Sequence, residues 1–202
     1  MHIPSTTIAE AMLAEAEQMN PGAWMAHCRS TADNARRIAA ACGMDTDAAY
    51  VLGLLHDIGR REGVQAIKHI FSGYAYLCAQ GFPDAARICL THSFAIADVA
   101  VYHGVIDCEV EDMDFLRRFL AEHPFDDYDR LIQLCDAISM PEGAVLMEKR
   151  LVDVAMRHGL LPDLTLHKWR AYFDLKQAFD EKGGGSIYRL LPGVEENTFR
   201  NA

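Results

Sequence analysis

The stretch Ala48-Ala49-Tyr50-Val51-Leu52-Gly53-Leu54-Leu55-His56-Asp57 decides how this chain reads. Residues 48–55 are apolar on nearly every side and far too few to cross a membrane, so they describe a buried helix. His56 and Asp57 close it. A carboxylate left unpaired there either carries a heavy desolvation cost or takes up a proton. A divalent ion removes that cost, because imidazole nitrogen and carboxylate oxygen are both good ligands. Other candidates stand in similar settings: His27 upstream, His69 and His92 downstream, and Asp136 within Leu131-Ile132-Gln133-Leu134-Cys135-Asp136-Ala137-Ile138. Taken singly, a histidine in an apolar helix is usually a satisfied core residue, and a buried aspartate usually pairs with arginine or backbone amides. Their joint occurrence favours a metal.

Outward from this stretch the pattern is helical. Ser5 or Thr6 can cap a helix through about Met19, broken by Asn20-Pro21-Gly22. A second runs from about Ala23 to Cys42, and a third begins after Asp45 or Thr46 and ends at the His-Asp pair, where Ile58-Gly59 turns the chain. Further helices are expected over Val64–Gln80, Asp84–His92, Glu111–Glu122, Asp126–Ser139, Ala144–His158 and Leu166–Lys182. Residues 93–110 are ambiguous, with a short helix open over Phe94–Val101. Strand-type alternation is nearly absent, so an all-α single domain is expected, without internal repeats. Its parts read as an N-terminal helix (1–22), a metal-binding core (23–140), and C-terminal helices and tail packing on that core (141–202). The apolar residues of the tail could equally serve a homodimer.

The 202 residues are half apolar and carry a formal net charge of -10, with no lysine/arginine block. Sequence-independent binding to polymeric nucleic acid, which needs a basic surface, is therefore not expected. The N-terminus lacks the basic and apolar regions of a signal peptide and no stretch reaches transmembrane length, so a cytoplasmic protein without membrane contact is expected. The six cysteines have no C-x-x-C spacing and read as reduced core thiols.

The residues singled out above also carry a family resemblance. The chain resembles the HD-domain phosphohydrolases, whose motif H…HD…D is matched by His27, His56-Asp57 and Asp136, and whose HD-I-G-K/R continuation is matched by His56-Asp57-Ile58-Gly59-Arg60. The likeness spans about residues 23–140. It implies a helical bundle of the HD-domain type and metal-dependent cleavage of phosphoester bonds. Dinuclear members, among them bacterial diadenosine tetraphosphate hydrolases and HD-GYP phosphodiesterases, add histidines between the HD pair and the last aspartate. In the former group a glycine follows the first added histidine, as Gly73 follows His69 here, and His92 stands where the second is found. The resemblance thus implies one metal on His27, His56, Asp57 and Asp136, with Asp57 bridging to a second held by His69 and His92.

Such nitrogen and oxygen ligation suits iron, manganese, cobalt or zinc. A metal-bound hydroxide is then the expected nucleophile and a small phosphorylated compound, above all a nucleotide, the expected substrate. Asp57 and Arg60 are the expected catalytic residues. Arg60 and Arg61 are candidates to neutralise a phosphate, Arg60 foremost because the family often has lysine there. His2, His103, His123, His158 and His167 carry no expected role. Glu148-Lys149-Arg150, Arg157 and Lys168 read as a solvated face, and Gly183-Gly184-Gly185 as a terminator. Two rival readings stay open: an oxygen-activating di-iron enzyme of the HD-domain type, and a non-catalytic regulatory module that keeps its metal.

Overall fold

Local chemistry starts and stops the helices. In the computed structural model, which describes residues 1–200, Ser5 accepts a hydrogen bond from the Ile8 N–H and begins α1 (Thr6–Met19). After Gly22 comes α2 (Ala23–Ala41), and Asp45 caps α3 (Thr46–Leu55) by accepting from the Asp47 and Ala48 N–H groups, both at 2.9 Å. A 3-10 turn (Ile58–Glu62) leads to α4 (Lys68–Ala79) and α5 (Pro83–Thr91). Then follow α6 (Val110–Glu122), α7 (Asp127–Asp136) behind a capping box at Asp126, α8 (Met147–His158), α9 (Thr165–Lys182) and α10 (Val194–Phe199). The fold is all-α.

Three boundaries differ from expectation, the first through a tertiary contact. Helix α4 begins at Lys68 instead of Val64, because the Asp107 carboxylate, far along the chain, accepts from the Ala66 N–H at 2.7 Å and the Lys68 N–H at 2.8 Å. That side chain acts as a cap delivered from another loop. Within Phe94–Val101 only Val99–Val101 forms a 3-10 turn. The helices expected over 126–139 and from Ala144 are separated by a small hairpin, β1 (Ser139–Met140) paired with β2 (Gly143–Ala144). The tail folds back on its own body: Ile187 and Leu191 are buried in the main core, and the Tyr188 hydroxyl accepts from the Met147 N–H at 3.0 Å.

Every residue from Ala48 to Leu55 is buried, which puts α3 in the middle of the main core among α1, α2 and α7. A smaller cluster, including Ile70, Leu90, Phe94, Leu116 and Leu120, lies where α6 covers α4 and α5. No helix of the described residues is long and apolar enough to cross a membrane.

Glycines set the crossings that matter. A Cβ on Gly53 would stand 2.8 Å from the Ala32 Cα, so α2 and α3 touch backbone to backbone. A Cβ on Gly59 would fall 1.9 Å from the His69 carbonyl oxygen, and one on Gly73 2.8 Å from the Cys89 Sγ. The turn after the His-Asp pair therefore lies directly on the first turns of α4. Gly59→Ala should destabilise the protein by about 1–3 kcal/mol, the usual cost of overpacking. Gly185→Ala, which meets open space, should stay within ~0.5 kcal/mol. Chemical denaturation of both variants checks this; an unshifted midpoint for Gly59→Ala would refute so close a crossing.

Candidate metal centre

Four histidine rings and two carboxylates meet at the junction of α2, α3, α4, α5 and α7. His27 lies in the second turn of α2, with its Nε2 3.0 Å from Asp136 Oδ1 at the end of α7. His56 ends α3, His69 opens α4 and His92 ends α5. Ring centroids run His27–His56 5.3 Å, His56–His92 4.9 Å and His92–His69 5.6 Å. Asp57 stands among them: its Oδ1 is 2.9 Å from His69 Nε2 and 3.5 Å from His92 Nε2, and its Oδ2 is 3.9 Å from His56 Nε2. All six residues foreseen from the sequence come together.

The backbone orients the rings. His56 Nδ1 lies 2.7 Å from the Gly53 carbonyl and His92 Nδ1 3.1 Å from that of Ile88, while His69 Nδ1 contacts the Ala66 carbonyl. A carbonyl only accepts, so each Nδ1 carries the proton and, in the neutral ring, each Nε2 keeps its lone pair for the interior. Gly53, in the last turn of α3, offers His56 a carbonyl of the kind helix ends leave free, whereas the Ile88 carbonyl accepts the backbone N–H of His92 as well as its ring.

The interior atoms are left without hydrogen bonds. His56 Nε2, Asp57 Oδ1 and His69 Nε2 are fully buried and unpartnered, although two of them approach to 2.9 Å. Buried polar atoms without partners are costly and rare, and donors converging at such spacing without hydrogen-bond geometry fit a shared cation. Three overlapping groups have this form: His27, His56 and Asp57; His56, His92 and Asp136; and Asp57, His69 and His92.

Protonation states agree with that use. Burial pushes His56 down to about 4 and also lowers His69. Burial opposes ionisation of Asp57, yet Arg60 and the neighbouring histidines hold it well below the ordinary carboxylate range. Asp136 is held low in the same way by His27 and Arg150. Ionised carboxylates with neutral imidazoles are the forms that ligate metal. His92 departs from this, since Asp57 beside it outweighs burial and raises its pKa.

A second layer ties α5 to α7. Arg87 Nε and Nη2 donate to Asp129 Oδ2 at 2.9 and 2.5 Å, and the Thr91 hydroxyl donates to Asp129 Oδ1 at 2.7 Å. Gln133 Nε2 donates to the Thr91 carbonyl at 3.1 Å. The residue before His92 is thus gripped from the helix that carries Asp136.

The centre opens into a cavity of about 510 Å³. Arg60 lines it, but its Nε already donates to Asp57 Oδ2 at 2.6 Å and its Nη1 to the Gln65 carbonyl at 3.2 Å. Arg61, expected beside the substrate, turns away: it is buried, pairs with Glu15 at 2.9 Å, stacks on Tyr76 at 4.0 Å and is no part of the cavity wall. Arg150, Arg157 and Lys168, expected on a solvated face, line the cavity instead, as do His103 and His158. A signal for Lys168 lay in the periodicity: Thr165, Lys168, Tyr172, Leu175 and Phe179 form the buried stripe of α9.

These observations define an all-α protein with a histidine and aspartate cluster able to hold divalent metal. The family model for the HD domain matches residues 24–140, and the chain belongs to the HD-domain family, most of whose members are metal-dependent phosphohydrolases. No curated protein and no solved structure matches the chain.

Asp129→Ala should cost about 3 kcal/mol or more, because it strands the Arg87 guanidinium and unties Thr91. The denaturation midpoint checks it; a loss below ~1 kcal/mol would mean that the network is not a fastening between α5 and α7.

Proposed function

We propose that this protein hydrolyses phosphoester bonds of a small phosphorylated substrate, a nucleotide, at a dinuclear divalent-metal centre. The observation that carries the proposal is the position of Asp57, whose carboxylate belongs both to the group with His27 and His56 and to the group with His69 and His92. On this reading His27, His56, Asp57 and Asp136 hold one ion, and Asp57 bridges to a second on His69 and His92. The oxygen and nitrogen donors suit iron, manganese, cobalt or zinc. The chemistry such ions supply when bound is activation of water at neutral pH and neutralisation of phosphoryl charge.

The chain's own groups support the rest. Asp57, ionised beside Arg60, would orient the attacking water as well as serve as a ligand. Nε and Nη1 of Arg60 are taken, which leaves Nη2 for a phosphoryl oxygen. Trp24, Tyr102 and Trp169 line the cavity, aromatic residues of the type on which a base stacks.

Metal analysis of protein purified without oxygen, with phosphate release measured over a nucleotide panel, tests the proposal. Asp57→Ala should lose metal and hydrolysis together; retained activity would refute the assignment. His92→Ala should remove one metal equivalent and leave the fold intact. Unchanged stoichiometry in that variant would remove His92 from the second site.

A further inference from the structure

The cavity wall contains four formal cations, Arg60, Arg150, Arg157 and Lys168. Three touch carboxylates of the same wall: Arg60 meets Asp57 at 2.6 Å, Arg150 and Arg157 share Asp153 at 3.1 and 2.7 Å, and Arg150 also reaches Asp136 at 3.5 Å. Lys168 has no such partner. Among the described residues no carboxylate lies within salt-bridge reach of its ammonium, and its one hydrogen bond runs to the Val101 carbonyl at 3.3 Å. Yet Lys168 is only 9% exposed. It occupies a core position of α9, where a methionine or leucine would pack without desolvating a charge. Its neighbour on the ring side is Tyr172, with the ammonium 6.0 Å from the ring centroid. Burial depresses its pKa to about 8, and Asp136, too far away for a salt bridge, only partly opposes that shift.

Nearby polar groups on the same side are already joined to one another. His103 Nε2 lies 2.8 Å from the Thr165 hydroxyl, which also accepts from the Leu161 N–H at 2.8 Å. Neither group carries a negative charge, so no anion among the described residues touches the Lys168 ammonium.

We infer that Lys168 is a substrate-binding residue that receives an anionic group other than the ester being cleaved, a second phosphate, so that the substrate carries at least two. The inference rests on the functional reading above, because the metal cluster is taken as the place where the scissile phosphate binds. Lys168 stands outside that cluster and beyond the residues matched by the family model. It would therefore select among phosphorylated compounds instead of acting on the bond that breaks.

The test uses metal-loaded full-length protein and inorganic tripolyphosphate, with inorganic monophosphate for comparison, titrated calorimetrically. Lys168→Met should weaken tripolyphosphate binding at least about tenfold, the scale of one lost charge-assisted hydrogen bond. Monophosphate affinity and metal content should change little. Lys168→Arg should retain most of the tripolyphosphate affinity. Because a buried unpaired charge is removed, the melting temperature of Lys168→Met should equal or exceed the parent's; if that variant does not fold, Lys168→Gln carries the comparison. Equal tripolyphosphate affinity in the parent and the neutral variant overturns the inference alone, provided the parent hydrolyses phosphoesters. A parent that binds no tripolyphosphate and releases no phosphate from any ester overturns the functional reading and the inference with it.

Discussion

The buried carboxylate of Asp57 is the constraint around which the rest is arranged. One oxygen is satisfied by Arg60; the other faces His69 and His92 with no hydrogen bond at all. A protein tolerates such an atom only if something outside the chain completes it or if the surroundings supply compensating charge. The second applies here, since the Arg60 guanidinium keeps the carboxylate ionised while the imidazoles stay turned inward by their backbone carbonyls. Loss of either would leave a charged group, or a ring of lone pairs, facing an apolar core.

Holding those donors in place is a matter of backbone proximity more than of side-chain packing. Gly53 lets α3 lie against α2, which brings His56 to His27; Gly59 lets the following turn lie against α4, which brings Asp57 to His69. Gly73 in turn lets α4 approach Cys89 of α5, the helix that ends in His92. Three small residues thus set the spacing of the cluster, and the Asp129 network fixes the remaining edge between α5 and α7. The same device explains why a glycine belongs after the His-Asp pair: its missing Cβ is where the His69 carbonyl sits.

Much of this could be read from residues alone. An apolar run that ends in two ligand-type side chains is costly to bury unless an ion or a counter-charge meets them, and the helix boundaries near it follow from local caps such as Ser5, Asp45 and Asp126. What could not be read depends on contacts between distant segments. Asp107 shortens α4 from another loop, and the Ser139–Ala144 hairpin interrupts what periodicity extends as helix. Arg61 departs from its expected place because adjacent positions on a 3-10 turn point in different directions: Arg60 enters the cavity while Arg61 packs on Tyr76 and Glu15. On α8 the exposed apolar residues Val152 and Met156 alternate with charges and disguise a cavity-facing side that carries Arg150 and His158. Only Lys168 left a trace, as a cation in a stripe of core positions.

That trace bears on which part of the chain builds each side of the cavity. The residues able to hold metal all fall between His27 and Asp136, within the part that defines the family. Much of the opposite wall comes from α8 and α9, beyond it, and brings Arg150, Arg157, Lys168, Trp169 and Tyr172 to the same cavity. A cluster that must present several lone pairs to an ion tolerates little variation, whereas a wall that only has to match a substrate's charge and shape can change freely. The tail fixes that wall in place: Tyr188 meets the Met147 N–H at the start of α8, and Lys149 donates to the Asn197 carbonyl at 2.7 Å. The C-terminal segment therefore helps to hold α8, and with it the Arg150 and Arg157 side of the cavity, against the rest of the body.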